Sequence, residues 1–426
     1  MTTQLRFFFS STVLKKNTNQ ALGLAEYAIK FLANGAPGPK VLERTRLFHT
    51  DSVLTGLSAL ALKTNAPHVL RDEALEHEFK KTKLPLAKVF GSDKLVLLEK
   101  AVVANSAAVR EWDSNGTVFG YANDKTRQAG EFGHNDFYPV VIAAAHVNKN
   151  INGALALKAM ALQDEIRGRL CEVFSLKTYK IDHVVHGAIA SICVYGGLVG
   201  ATPEQIEHAI GMFVAHYIPY RAIRAGKQLS DSKGSSAALS TEAAIMSINR
   251  AIRGFVGPKD IFRNPEAIFR LNEKTKGDSP FDITLSEAGD DFAVMGMHFK
   301  LGLYEHQSAG ALEGLQKLIL DSKFTTTSKI DDIENINIVA YEPAFGIIGD
   351  PAKKDPKTRQ SADHSMVYII STILRKAFEH KNAGFNGLDD VWKSLMLLPQ
   401  DYGYQALFNK DTRKLMEKCT FSHGGK

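Results

Sequence analysis

The sequence predicts a mostly α protein, a large all-α helical domain carrying a smaller α+β domain. Three observations support this. The chain is 426 residues long, enough for more than one domain and a large core. Residues 20–265 fall into segments of ordinary helix length with apolar positions at helical spacing. The one clear period-2 stretch comes late: over 334–341, Ile336, Ile338 and Ala340 alternate with Asn335, Asn337 and Val339, as in a strand.

The elements follow in order. Residues 21–32 read as a helix stopped by the breaker run Asn34-Gly35-Ala36-Pro37-Gly38-Pro39, and the helical period resumes over 40–61. Residues 140–145 and 153–174 are Ala-rich and helix-favouring. The second of these spaces Lys158, Asp164, Glu165, Arg167 and Arg169 among apolar positions. Residues 187–200 are small enough for close helix packing. Thr202 is then an N-cap, Pro203 a first helical residue and Gln205 the partner that closes a capping box. Near residue 260 the texture changes, with Pro258, Pro265, Gly277 and Pro280 breaking the pattern. A helix over 363–377 follows the late strand. The expected organisation is a presequence over 1–20, a helical domain over 21–265, the α+β domain over 266–405, and a short C-terminal segment over 406–426.

Composition excludes several classes. The charge is +6, from 52 Lys and Arg against 46 Asp and Glu, and the basic residues are spread out. A nucleic-acid binder concentrates them, so no nucleic-acid partner is expected. Cys171, Cys193 and Cys419 form no CxxC pair, which argues against a disulfide framework or a Cys-rich zinc site. No apolar run reaches membrane-spanning length, so no membrane insertion is expected. The first 25 residues hold Arg6, Lys15 and Lys16, several Ser and Thr, and no acid. That is the composition of a mitochondrial presequence, and it predicts the matrix as the location. GxGxxG, Walker A, GxSxG and HExxH are all absent, leaving acid–base chemistry from positioned side chains.

Five clusters set ionisable residues beside small ones. They are Arg110 through Thr117, Gly130 through Asp136, Ile181 through Gly187, Arg224 through Ser236, and Lys300 through His306. Gly at such places lets a ligand approach the backbone closely. Spacing alone does not bring them together.

In this order the clusters resemble the MmgE/PrpD family of lyases. The resemblance rests on Trp112-Asp113-x-Asn115-x-Thr117, Gly133-His134 and Ile181-Asp182-His183-Val184, then Phe299-Lys300, His306-Gln307-Ser308-Ala309, Asp350-Pro351 and Asp363-His364-Ser365. It implies a homodimer, no metal or organic cofactor, an α+β domain that serves as a lid, and an active site between the helical domain and that lid. The branch it points to dehydrates 2-methylcitrate to 2-methyl-cis-aconitate in propionate catabolism. Two alternatives stay open: decarboxylation of cis-aconitate or a related tricarboxylate, and an inactive relative serving as a binding or dimerisation module. By the same resemblance Asp113, His134, His183, Lys300 and His306 are the catalytic candidates, with His134 and His183 moving protons and Asp113 orienting. Thr117, His186, Lys227 or Lys233 (Lys227 preferred), and Arg359 are the substrate-binding candidates. Phe119 to Phe132 is an insert relative to the family, and the family's final strand and helices are expected to be missing.

Overall fold

The computed structural model describes the chain except residues 1–9, 81, 115, 117–134, 225–227, 323, 342–343, 346–347, 381–383 and 425–426. The described residues are mostly helical, with strands only in small pairs. They divide into two compact units. Among them no helix is long and apolar enough to cross a membrane.

The first unit spans Met1–Glu111, Asn115–Arg221 and Ser235–His298. Its long helices are α1 (Gln20–Asn34), α2 (Pro39–Ala61), α3 (Asn65–Glu76), α4 (Leu98–Arg110), α5 (Pro139–Val147), α6 (Gly153–Val173), α7 (Val184–Val199), α8 (Pro203–His216) and α9 (Ser236–Ile252). The breaker run after α1 and the capping box at Thr202 stand where the sequence puts them. The Thr202 side chain accepts from Gln205 N, while Gln205 Oε1 accepts from Thr202 N.

The small-residue stretch becomes the buried helix α7, which packs on α6 and α9. Its glycines are needed for contact. A Cβ on Gly187 would meet the Phe137 ring at 2.1 Å, and one on Gly196 would meet Ile206 at 2.6 Å. Buried charges on α6 are matched locally: Arg167 Nη2 lies 2.8 Å from Asp164, and Tyr138 Oη donates to the same carboxylate at 2.5 Å.

The helical unit is not all α. β1 (Ser11–Leu14) pairs antiparallel with β5 (Ile283–Ser286), β2 (Ala36–Pro37) parallel with β6 (Ala288–Gly289), and β3 (Leu86–Lys88) antiparallel with β4 (Leu95–Leu97). Strands of two to four residues are too short to show a period, so the sequence pattern could not reveal them. The β1 ladder also ties residues of the expected presequence into the fold. Ser10 and Thr12 donate to Glu287, and Lys15 pairs with Asp282 at 3.0 Å.

The second unit spans Trp112–Ser114, Ala222–Gly234 and Phe299–Lys426. It is the α+β part. β7 (Ile336–Ala340), the strand read from alternation, pairs parallel with β8 (Cys419–His423), from Ile336 opposite Cys419 to Ala340 opposite His423. Helix α10 (Ala309–Ser322) packs on β7 and on α11 (Met366–Glu379) and α12 (Leu388–Leu395), and α11 packs in turn on α12 and α13 (Lys410–Glu417). The segment after residue 405 thus supplies a helix and a strand.

The helix expected over 363–377 is broken. A turn over Arg359–Ala362 ends at Asp363, and α11 starts after Ser365, whose hydroxyl accepts from Tyr368 N. Ser365 is an N-cap, so Asp363 and His364 sit in the bend before the helix.

Candidate functional site

The second unit gathers an ionisable cluster around Asp113. Asp113 is a non-glycine residue in the left-handed region, with φ 53°. Asp tolerates that conformation better than most side chains, and such outliers cluster at functional sites. Its carboxylate is buried, with Oδ2 lying 3.7 Å from Lys233 Nζ, 3.6 Å from Lys300 Nζ and 3.6 Å from His364 Nε2. Both lysine side chains are only 3% exposed, so these charges interact through protein rather than bulk water.

Local structure sets each member. Lys233 lies in the helical turn Asp231–Gly234. The strap before that turn is stitched down: Leu229 N donates to Ser361 Oγ at 2.8 Å, Lys357 N to Gln228 Oε1 at 2.9 Å, and Gln228 Nε2 to Asp355 O at 3.0 Å. Lys300 Nζ donates to Tyr304 O at 3.3 Å, which bends its chain back over its own loop. His364 Nδ1 contacts Asp363 Oδ1, with Lys233 Nζ 3.5 Å from the same nitrogen. Arg359 Nη1 lies 3.0 Å from the other Asp363 oxygen and stacks over the Trp112 ring at 5.4 Å.

Glu305 adds a second buried carboxylate. Its backbone N donates to Asp363 O at 2.9 Å, and Gln307 N donates to its Oε2 at 2.7 Å. His306 Nδ1 lies 2.9 Å from its Oε1. Burial pushes the Glu305 pKa up, but His306, His364 and Lys300 together outweigh it and hold the group at about 2. Glu305 is therefore an anion at neutral pH.

Two candidates lie in the first unit. His183 stands at the N-terminus of α7 with its Nδ1 3.4 Å from Asp182 Oδ1, and Asp182 is fully buried. His186, one turn on, is 1% exposed and its Nε2 donates to Phe174 O at 3.0 Å. Burial lowers its pKa to about 4, so it is neutral at pH 7 with its one donor spent on the backbone. Thr117, His134, Lys227 and the Phe119 to Phe132 insert lie outside the described residues. Of the two lysines left open by the sequence, Lys233 is the described one, and it stands beside Asp113.

The structure thus brings Asp113, Lys233, Lys300, His306 and Arg359 into one neighbourhood of the second unit. It adds three residues that sequence reasoning gave no role: His364, Asp363 and Glu305. Ser365, which can cap a helix, was the available signal for the first two, because a cap there takes Asp363 and His364 out of the helix.

The arrangement has clear chemical capacity. Two ammonium groups face one carboxylate, so this trio carries excess positive charge suited to a carboxylate ligand. A histidine at the same carboxylate can donate or accept a proton near neutral pH. Among the described residues, no group of three or more His, Cys, Asp and Glu side chains is placed to hold a metal ion.

A family model for the MmgE/PrpD N-terminal domain matches residues 23–278, more than half of the chain. The match takes in Asp113, His183 and Lys233, and on its strength the chain belongs to the MmgE/PrpD family.

Proposed function

We propose that this protein is a hydro-lyase that dehydrates 2-methylcitrate to 2-methyl-cis-aconitate, in propionate breakdown. Members of its family are generally enzymes, dehydratases and lyases. The observation that carries the finer reading is the pair of buried lysines on the Asp113 carboxylate, with His364 at the same oxygen.

A tricarboxylate needs fixed cations, and Lys233 and Lys300 supply them, exchanging part of their contact with Asp113 for substrate carboxylate. Elimination also needs a base and an acid. The base takes the proton from the carbon beside a carboxylate, and the C–H electron pair is held on that carboxylate until it forms the C=C bond as the C–O bond breaks. The hydroxyl then leaves as water, taking a proton from an imidazolium. The lysines stabilise the negative charge that builds on the adjacent carboxylate. His183, held by Asp182, and His364 are the described proton-transfer candidates, His134 completes the set drawn from the sequence, and Asp113 orients. Each such group is worth ~10²–10⁴ in rate. The acid-free N-terminal stretch with Arg6, Lys15 and Lys16 supports delivery to the mitochondrial matrix.

The test is to incubate the purified protein separately with 2-methylcitrate, citrate and cis-aconitate, and to follow products by NMR. Alkene from 2-methylcitrate is the expected result, lost in K300A and H364A. Itaconate and CO₂ from cis-aconitate would replace dehydration with decarboxylation, which uses the same cations to stabilise the carbanion. No turnover of any substrate would overturn both and leave a binding module.

A further inference from the structure

Asp363 is buried beside the cluster and Arg359 half-buried, yet neither has a part in the acid–base scheme above. Asp363 is 2% exposed and divides its two oxygens. Oδ1 meets His364 Nδ1, and Oδ2 meets Arg359 Nη1 at 3.0 Å. The same guanidinium lies over the Trp112 ring at 5.4 Å, and Trp112 is the residue before Asp113. Arg359 therefore grips both flanks of His364: the carboxylate at Nδ1, and the chain that carries the carboxylate facing Nε2.

The geometry points to Asp363 and Arg359 as positioning residues that fix the ring and tautomer of His364, leaving Nε2 as the nitrogen that exchanges protons. The inference rests on His364 being a proton-transfer group. Its physical basis is a competition at Nδ1. Asp113, 3.6 Å from Nε2, also attracts a proton, so the ring between two carboxylates favours the doubly protonated form; on losing one proton it gives up the one on Nε2, because Asp363 makes the closer contact and keeps the proton on Nδ1. Lys233 Nζ, 3.5 Å from the same nitrogen, is a donor and favours the opposite tautomer. Asp363 wins while it is held by Arg359. The charged groups around the ring include Asp363, Asp113 and Lys233 in contact, with Glu305, Lys300 and Arg359 behind them. A guanidinium divided between a carboxylate and an indole is placed to hold them together, and positioning is the role assigned to Arg359.

Two variants separate charge from tautomer. In D363N the amide oxygen can still accept from Nδ1 but the negative charge is gone. The kcat pH profile should move its histidine limb down by ~1 pH unit, because a neighbouring anion favours the protonated ring. In D363A the way is open for Lys233 to donate to Nδ1. There kcat should fall at least ~10-fold with KM changed less than ~2-fold, since a wrong tautomer disables the chemical step more than binding. R359A should act in the same direction.

A spectroscopic readout stands apart from turnover. In protein labelled with ¹⁵N-histidine, His364 is identified by the signal lost in H364Q. At a pH where the ring is neutral it should carry its proton on Nδ1, and in D363A or R359A the proton should shift toward Nε2. Circular dichroism checks that each variant is folded. Absence of turnover in the parent protein overturns the proposed reaction, while the tautomer still decides this inference. An unmoved profile in D363N together with an unchanged tautomer in D363A and R359A overturns the positioning role.

Discussion

Replacing Asp113 with Asn removes one charge from the buried cluster and little else. Each lysine ammonium stands 3.6 or 3.7 Å from the carboxylate. At an effective dielectric near 20, one such contact is worth about 4–5 kcal/mol before desolvation is subtracted. Removing one partner of a buried pair costs about 3–5 kcal/mol net, because the other charge is left uncompensated. Here two ammonium groups, each with a side chain 3% exposed, would lose that carboxylate together. Asn tolerates the left-handed backbone at φ 53° about as well as Asp does, so D113N isolates the charge. D113A adds about 1–2 kcal/mol of backbone strain. The expected order of stability is therefore parent, then D113N, then D113A. A second change, K300M, should restore part of the D113N loss by removing a stranded charge.

The assay is intrinsic fluorescence during urea unfolding at pH 7. The chain has two tryptophans, Trp112 and Trp392, and both lie in the second unit, so the signal reports on the unit that holds the cluster. With a slope of ~1–3 kcal/mol per M, the D113N midpoint should drop by ~1–5 M. A D113N midpoint equal to the parent's, or a further loss on adding K300M, would refute the reasoning.

Two more predictions follow from the same contacts. Glu305 is held at about 2, below its ordinary value of 4.5, so its ionised form favours the folded state. That stabilisation is complete above about pH 4.5 and is lost as pH falls toward 2, amounting to about 3 kcal/mol; E305Q should flatten the fluorescence-detected stability curve across this window. At the N-terminus, a chain starting at Ser10 keeps the β1–β5 ladder, whereas one starting at Lys16 loses it. The shorter chain should be less stable, by about 1 kcal/mol for each ladder bond lost, as read by calorimetry. Equal melting of the two chains would mean that the ladder contributes nothing.

Much of the helical unit was legible because its signals are local. Thr202, Pro203 and Gln205 specify a helix start within four residues, and the run from Asn34 to Pro39 specifies a stop. The small residues of α7 announce close packing whatever packs there. The strand over Ile336–Ala340 shows itself because one face is buried and the other is not. The short strand pairs were not legible, since two to four residues carry no period and their partners lie far along the chain. The break at Asp363 was missed for a different reason: the apolar run after it looks helical, and only the capping hydroxyl of Ser365 marks where that helix begins.

The sequence by itself determined the residue types of the site and the family they belong to: an aspartate, lysines and histidines set beside small residues, in a fixed order. Only the tertiary structure decided which of them meet. Asp113, Lys233, Lys300 and His364 come from four separate stretches, and no local rule links residues so far apart in the chain. It also decided what each histidine is. His183 faces a buried carboxylate, His186 spends its donor on a backbone carbonyl in the core, and His364 stands between two carboxylates. A proton's affinity for an imidazole depends on the charges and solvent within a few ångströms of it, and folding sets those distances.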